Sequence, residues 1–303
     1  MKRIGVLMGG ISSEREISLM SGKIILENLD QNKFEPIPIV IDKKEDVFLK
    51  CQNIDFALLV LHGKFGEDGR VQSILESMNI PYSGCGPLAS GIAMDKDTTK
   101  KILTSTNIRT AKWMTVKSLD DINYEQLKEI GYPLFVKPNS GGSSVATSLV
   151  KKEENLSNAI LEALKFDNEV MIEEYIKGDE ISTPIIDGKI YPVMAIKPNS
   201  EFFDIKSKYE IGASEEYAIE LESPLKEEVN DMLLKVWKEL KLEGYARIDM
   251  LILDRVPYVL EVNTLPGMGP TGLLPQSYMS TGRTYQELVT EIINASLKIN
   301  RHN

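Results

Sequence analysis

Cysteine and histidine are almost absent from this chain. Cys51 and Cys85 are its only cysteines, and His62 and His302 its only histidines, among 303 residues. Two cysteines so placed match neither a zinc motif nor a disulfide framework. His302 lies in the terminal tail, which leaves His62 as the one imidazole placed for chemistry. Long apolar runs are missing too, so no segment is expected to cross a membrane. The opening residues, Met-Lys-Arg-Ile-Gly-Val-Leu-Met, read as an immediate strand and not as a signal peptide. The expectation is a soluble cytoplasmic protein. Positive charge is the last deficit: 35 Lys and Arg stand against 45 Asp and Glu, a net charge of −10. Nucleic acid is therefore not expected as the main partner, because a phosphate backbone needs a basic footprint. Any anionic substrate has to be held by a few placed lysines and arginines.

What is present is a globular composition, 42% hydrophobic, in a chain long enough for two or three domains. Its most informative stretch is GYARIDMLILDRVPYVLEVNTLPGMGPTGLLP, Gly244 to Pro275. Arg247 to Leu253 alternates, with Arg247, Asp249 and Leu251 on one face. Tyr258 to Asn263 alternates too, with Val259, Glu261 and Asn263 together. Asp254-Arg255-Val256-Pro257 is the turn between them. Two carboxylates and a carboxamide on otherwise apolar strands are costly to bury unpaired. Two readings resolve that cost. One is a hard divalent cation such as Mg²⁺, which favours these oxygens, with Arg247 free to grip a phosphate or carboxylate. The other is a structural ion pair of Arg247 with Asp249 or Glu261. The metal reading makes a geometric demand. Directly opposed residues of an antiparallel pair share a face, so Asp249 and Glu261 meet only if the hairpin loop is odd in length or a bulge intervenes.

Upstream, Arg3 to Met8 is a buried strand running into Gly9-Gly10-Ile11-Ser12-Ser13-Glu14 and a helix over about 16–29. Ser12 or Ser13 is the expected cap of that helix. Strand, glycine turn and helix start make an anion site, but Gly5, Gly9 and Gly10 do not fit the dinucleotide fingerprint, so Asp42 is not read as an NAD ligand. On local grounds Glu14 is a solvated carboxylate at a helix start. A third apolar strand, Asp55 to Leu61, ends in His62-Gly63-Lys64-Phe65-Gly66-Glu67-Asp68-Gly69. Alternating strands and helices predict a parallel, Rossmann-like sheet over about the first ninety residues, with Glu14 and His62 at the strand carboxyl ends. Composition shifts near Met94-Asp95-Lys96. Lys137 closes the strand Tyr132 to Lys137, and Pro138-Asn139-Ser140-Gly141-Gly142-Ser143-Ser144 follows. That loop has many free N–H groups, suited to covering phosphates, although it is not a Walker P-loop. Lys137 is either a phosphate-site lysine or one snorkelling from a strand. A strand ends at Glu173-Glu174-Tyr175-Ile176, a hairpin turns at Asp187-Gly188, and Leu225 to Leu240 and Tyr285 to Asn300 are helices. Glu201 to Tyr209 is predicted to be a loop.

Taken in order, the blocks MGGISSEREIS, LHGKFGEDG, MDK, VKPNSGGSSV, EEYIKGDE, KSKY, ARIDM and LEVNTLPGM make the chain resemble the D-alanine–D-alanine ligases of the ATP-grasp superfamily over nearly its full length. The resemblance implies an α/β, three-domain ATP-grasp fold whose N-terminal domain is the Rossmann-like parallel sheet. The expected divisions are residues 1–93, 94–180 and 181–303. It implies ATP-dependent joining of two D-alanines through an acyl phosphate, for peptidoglycan synthesis, in a cytoplasmic homodimer. By the same resemblance Lys96, Lys137 and Lys208 contact ATP phosphates. Glu173 and Ile176 offer backbone groups to adenine, Tyr175 packs nearby, and Glu180 holds the ribose. Asp249, Glu261 and Asn263 bind two Mg²⁺ ions, for which Mn²⁺ can substitute. Glu14 meets the first D-alanine's ammonium and joins Ser143 and Tyr209 in a hydrogen-bonded triad. His62 lies near the first carboxylate, and Arg247 with the Gly267 N–H stabilises the tetrahedral intermediate.

Two positions depart from the family pattern. Ala146 stands where glycine is usual, which is tolerable unless that backbone needs a positive φ. Gly272, before Leu273, stands where the family carries a serine whose hydroxyl holds the second D-alanine's carboxylate. A donor is missing there, so the alternative is a ligase with a different acceptor, and a serine at Gly272 is expected to tighten acceptor binding.

Overall fold

The computed structural model describes residues 1–142, 145–198 and 214–301. Three β-sheets organise them. The first is parallel, in the order β2-β1-β3, from β1 (Lys2–Gly9), β2 (Phe34–Ile41) and β3 (Phe56–Leu59). Helix α1 (Arg15–Asn28) follows β1, and α2 (Asp46–Lys50), α3 (Arg70–Ser77), α4 (Pro87–Met94) and α5 (Lys96–Ser105) come next in sequence. The Gly9-Gly10 turn has φ of 87° and 90°, which glycine adopts at no steric cost. It is held where the Gly10 N–H donates to the Ile41 carbonyl at 2.8 Å. The expected serine cap is absent: α1 starts at Glu14 with no side-chain cap. Ser12 instead donates to the His62 carbonyl at 2.7 Å and so ties the two loops together. Asp42 pairs with Arg15.

The second sheet is antiparallel, in the order β4-β7-β5-β6. It comprises β4 (Trp113–Val116), β5 (Leu134–Pro138), β6 (Ser148–Val150) and β7 (Val170–Glu174). Helices α6 (Tyr124–Ile130) and α7 (Leu156–Ala163) close its core through Leu127, Ile130 and Ile160. The third runs β11-β10-β8-β12-β13, with β9 paired to β8. Its strands are β8 (Asp179–Ile186), β9 (Lys189–Ile190), β10 (Val193–Pro198), β11 (Ser214–Ile219), β12 (Tyr245–Leu253) and β13 (Val256–Asn263). Helix α8 (Leu225–Glu239) packs Val229, Leu233 and Val236 against Ile248, Met250, Val259 and Val262. Two further helices, α9 (Leu273–Met279) and α10 (Tyr285–Leu297), return the chain end to the first core, where Leu288, Ile292 and Ile293 pack with Ile4, Val6 and Leu7.

The β12–β13 hairpin meets the geometric demand, and by a bulge. Its turn is only two residues long, Asp254-Arg255, with φ of 49° and 65°. That turn matches the twist of the flanking strands. It pairs Leu253 with Val256 and Met250 with Val259. The register then shifts, and Asp249 faces Glu261 and Arg247 faces Asn263. Leu260 is the extra residue. The face expected for β13 is corrected accordingly: Val259 goes to the helix-covered core, and Glu261 and Asn263 go to the opposite side.

Gly178, between β7 and β8, crosses the end of β12 closely. A Cβ there would lie 2.6 Å from the Ile252 carbonyl oxygen. Gly178→Ala is expected to destabilise the fold by about 1–3 kcal/mol through overpacking against backbone. Thermal unfolding checks this, and an unchanged midpoint would show that the crossing can widen freely.

Candidate active site

Loops of the parallel sheet, the start of α5, the glycine loop after β5 and strands of the third sheet enclose one cleft of about 480 Å³. Its walls carry Glu14 and His62 from the parallel sheet, Lys96 from α5 and Glu180 from β8. Arg247 and Asp249 come from β12, Glu261 and Asn263 from β13, and Gly267, Gly272 and Leu273 from the loop and helix that follow. Lys137, Glu173, Tyr175 and Ile176 lie together on and after the second sheet. Ser143, Lys208 and Tyr209 fall outside the described residues, as does the loop predicted over 201–209.

Asp249 accepts four hydrogen bonds in the cleft. Arg247 Nε donates to its Oδ1 at 2.9 Å, and an Arg247 terminal nitrogen donates to Oδ2 at 2.7 Å. Ser182 Oγ donates to Oδ1 at 2.6 Å and Asn263 Nδ2 to Oδ2 at 3.0 Å. Arg247 is thus ion-paired with Asp249, and a cation held by Asp249 would share its oxygens with these donors. Burial opposes the Arg247 charge, but Asp249 first, then Glu261 and Glu180, hold its pKa above the ordinary value. Sequence reasoning missed Ser182. Its signal was available, since it sits two residues after Glu180 on β8 and shares that face. Among the described residues no group of three or more His, Cys, Asp or Glu is arranged to hold a metal ion. The donor set here is two carboxylates and a carboxamide. All offer hard oxygens, and Asn263 has its nitrogen engaged by Asp249, which leaves its oxygen as the acceptor. That chemistry suits Mg²⁺.

His62 is buried, with Nδ1 3.8 Å from Glu67 Oε1 and with Nε2 unpartnered among the described residues. Burial would lower its pKa, but Glu67 and then Glu14 outweigh that and raise it. The imidazolium is therefore favoured, and it is suited to receive an anion at Nε2. Glu67 is a second residue that sequence reasoning passed over, although it lies in the same glycine-rich loop.

Lys96 is the first residue of α5, capped by Asp95, whose carboxylate accepts the Thr98 N–H at 2.8 Å. The Lys96 ammonium donates to the Gly141 carbonyl at 2.5 Å and so reaches the glycine loop. Lys137 is paired with Glu173 at 2.5 Å and does not snorkel to solvent. Glu173 lies between β4 and β5, opposite Trp113 and Phe135. Its side chain is buried between Lys100 and Lys137, which together hold its carboxyl down at about 2 despite burial. Tyr175 packs edge-on against Phe135, with ring centroids 5.4 Å apart. The Ile176 carbonyl accepts from the Gly178 N–H at 3.0 Å.

Gly272 caps α9, a helix the sequence reading overlooked because Pro275 falls inside it. Pro275 sits in the first turn, where its missing N–H has no helical partner to lose. Gly272 has φ −71°, open to any residue, yet a Cβ there would lie 2.7 Å from the Gly267 carbonyl and 3.0 Å from that of Gly269. A serine at this position would therefore push its Cβ on the loop that carries Gly267, which weighs against the tighter acceptor binding expected of it. Ala146 has φ 54°, the left-handed region in which alanine is strained by about 1–2 kcal/mol. Gly272→Ala and Gly272→Ser are both expected to destabilise the fold by about 1–3 kcal/mol. Denaturant unfolding of the two variants checks this, and a serine variant as stable as the parent would restore the original expectation.

Two family models match the chain. "D-ala D-ala ligase N-terminus" matches residues 3–50 and 45–85, and "D-ala D-ala ligase C-terminus" matches residues 102–294. A D-alanine–D-alanine ligase of Clostridium perfringens is 58% identical over 299 residues, covering 99% of both chains. The crystal structure of the D-alanine–D-alanine ligase of Bacillus anthracis complexed with ATP superposes with a TM-score of 0.90 at 46% identity, over 98% of each chain. That of the VanG D-Ala:D-Ser ligase of Enterococcus faecalis does so with a TM-score of 0.84 at 30% identity, over 97% of this chain and 99% of that one. With the family models, the full-length identity and the fold in agreement, the chain belongs to the D-alanine–D-alanine ligase family.

Proposed function

We propose that this chain joins two D-alanines to D-alanyl-D-alanine at the cost of ATP, in the cytoplasm, as a step of peptidoglycan precursor synthesis. The observation that carries the reading is the bulge-set pairing of Asp249 with Glu261 beside Arg247, in a cleft whose other wall holds Glu14 and His62. A carboxylate is a poor electrophile. Attack of the first D-alanine's carboxylate oxygen on the γ-phosphorus, with ADP leaving, makes an acyl phosphate. The second D-alanine's amine then attacks the acyl carbon, phosphate leaves, and the amine gives up a proton.

The chain's own residues divide that work. Glu14 binds the first ammonium, and His62 Nε2 binds the first carboxylate. Lys96, Lys137 and Lys208 hold phosphate oxygens, Glu180 the ribose, and the segment from Glu173 through Tyr175 to Ile176 the adenine. Arg247 and the Gly267 N–H receive the oxyanion of the tetrahedral intermediate, where fixed donors act most strongly. Glu14 would act with Ser143 and Tyr209, which lie outside the described residues, to keep water from the acyl phosphate. Asp249, Glu261 and Asn263 would hold one or two Mg²⁺ or Mn²⁺ ions, which supply charge neutralisation to the crowded phosphates. The proposed layout is the three-domain ATP-grasp one, with divisions near residues 93 and 180, assembled as a homodimer. Among the described residues no helix is long and apolar enough to cross a membrane.

A second acceptor stays in view because Gly272 carries no hydroxyl for the second carboxylate, and a D-Ala:D-Ser ligase is among the similar structures. The deciding assay is ADP release with D-alanine alone and with D-alanine plus D-serine, with product identified by mass. D-alanine alone should sustain turnover and yield the dipeptide. ADP release only when a second amino acid is added would overturn D-alanine as the acceptor.

The His62 charge gives a pH dependence. Its pKa is raised, so the imidazolium persists at and above pH 6.5 and is lost as pH climbs through the raised value. Affinity for the first D-alanine should fall over that rise. His62→Gln should flatten the profile and cost about ten- to a hundredfold in affinity, the loss of a bond to a charged group. A variant that keeps the parent's pH profile would remove His62 from this role.

A further inference from the structure

Lys100 has no role in the chemistry above, yet it is among the most buried charged groups of the molecule. Its side chain is 2% exposed, and its ammonium lies 2.6 Å from Glu173 Oε1. It donates to Thr110 Oγ1 at 2.6 Å and to the Ala111 carbonyl at 3.2 Å, and it sits 5.4 Å from the Trp113 ring centroid. Glu173 is 1% exposed, and its other oxygen accepts from Lys137 at 2.5 Å. One buried carboxylate is thus shared by two lysine nitrogens; with both protonated the triad carries a net positive charge, and burial, then Lys137, lower the Lys100 pKa against the pull of Glu173. Packing alone does not call for this, because apolar residues of similar volume commonly replace buried ion pairs without loss of stability. Lys100 also lies one helical turn after Lys96, so both lysines leave the same face of α5.

We infer that Lys100 is a positioning residue for nucleotide binding: by occupying one oxygen of Glu173, it leaves the charge of Lys137 uncompensated and its ammonium fixed on the other oxygen. Without Lys100, Glu173 and Lys137 form a neutral pair, and the lysine is drawn between both carboxylate oxygens. With it, Lys137 keeps a full charge for an anionic ligand in a site of low dielectric. The inference rests on the reading of Lys137 as a nucleotide contact.

The test is ATP binding by equilibrium titration to the full chain, for Lys100→Met, Lys137→Met and the double variant, with thermal unfolding of each. Each single change should weaken ATP binding about tenfold. The double variant should bind no more weakly than Lys137→Met, because Lys100 acts through Lys137. In turnover, Lys100→Met should raise the KM for ATP and leave that for D-alanine unchanged. Should Lys100→Met fail to fold, Lys100→Gln keeps the polar contacts without the charge and should show the same loss. Losses that multiply in the double variant, or ATP affinity unchanged in a folded Lys100 variant, would overturn the inference. Undiminished affinity in Lys137→Met would overturn the reading of Lys137 itself, and the inference with it.

Discussion

A buried carboxylate has to be paired, and in this molecule Asp249 is the one on which the cleft depends. It sits on the central part of β12 with its side chain almost out of solvent. Leaving such a charge unpaired costs several kcal/mol, about 3–5 when one partner is removed. Arg247, Ser182 and Asn263 come from three neighbouring strands, β12, β8 and β13, and each donates to it. The strand register therefore also sets the site. If β13 slipped by one residue, Asn263 and Glu261 would point into the α8 core, where nothing could pair them. The bulge at Leu260 is what reconciles a tight two-residue turn with that register.

The same logic extends outward as charge bookkeeping over the whole cleft. The chain is acidic overall, so four cations placed at or beside the cleft among the described residues bear on where an anion can sit. Each is held by a carboxylate or carbonyl: Arg247 by Asp249, Lys137 by Glu173, Lys96 by the Gly141 carbonyl and His62 by Glu67. None of these pairings is a surface pair of the kind that salt screens away. They set side-chain directions before any ligand arrives, which limits the ordering cost of binding. Gly178 and Gly272 serve the same end differently, by letting backbone approach backbone where a Cβ would keep the walls apart.

Much of this was legible in the residues. The glycine turn after β1, the strand ending at His62 and the polar face of β12 follow from alternation and turn chemistry, and all are found. The family blocks fixed most of the cleft's membership. What escaped has physical causes. Strand β6 has only three residues, too few for alternation to register, and β11 opens on the polar run Ser214-Glu215-Glu216. Helix α9 hides behind Pro275, and the cap expected of Ser12 was lost to a partner fifty residues away, the His62 carbonyl. The side partition of β13 was misread because alternation assumes an unbroken strand, and one extra residue inverts it. Lys100 was passed over because a helix lysine reads as solvated until a buried carboxylate from another sheet is seen above it.

Under the proposed function, Asp249 and Glu261 are brought together to serve a divalent cation with bound nucleotide. The direct measurement is ATP affinity with and without Mg²⁺, for the parent and for Glu261→Gln, with folding of the variant verified by its unfolding transition. The parent should bind ATP more tightly when Mg²⁺ is present. The variant, with one hard ligand neutralised, should lose most of that difference while its metal-free affinity changes little. A folded variant whose affinity still rises with Mg²⁺ as much as the parent's would contradict the central claim. The carboxylate pair would then be an element of structure alone.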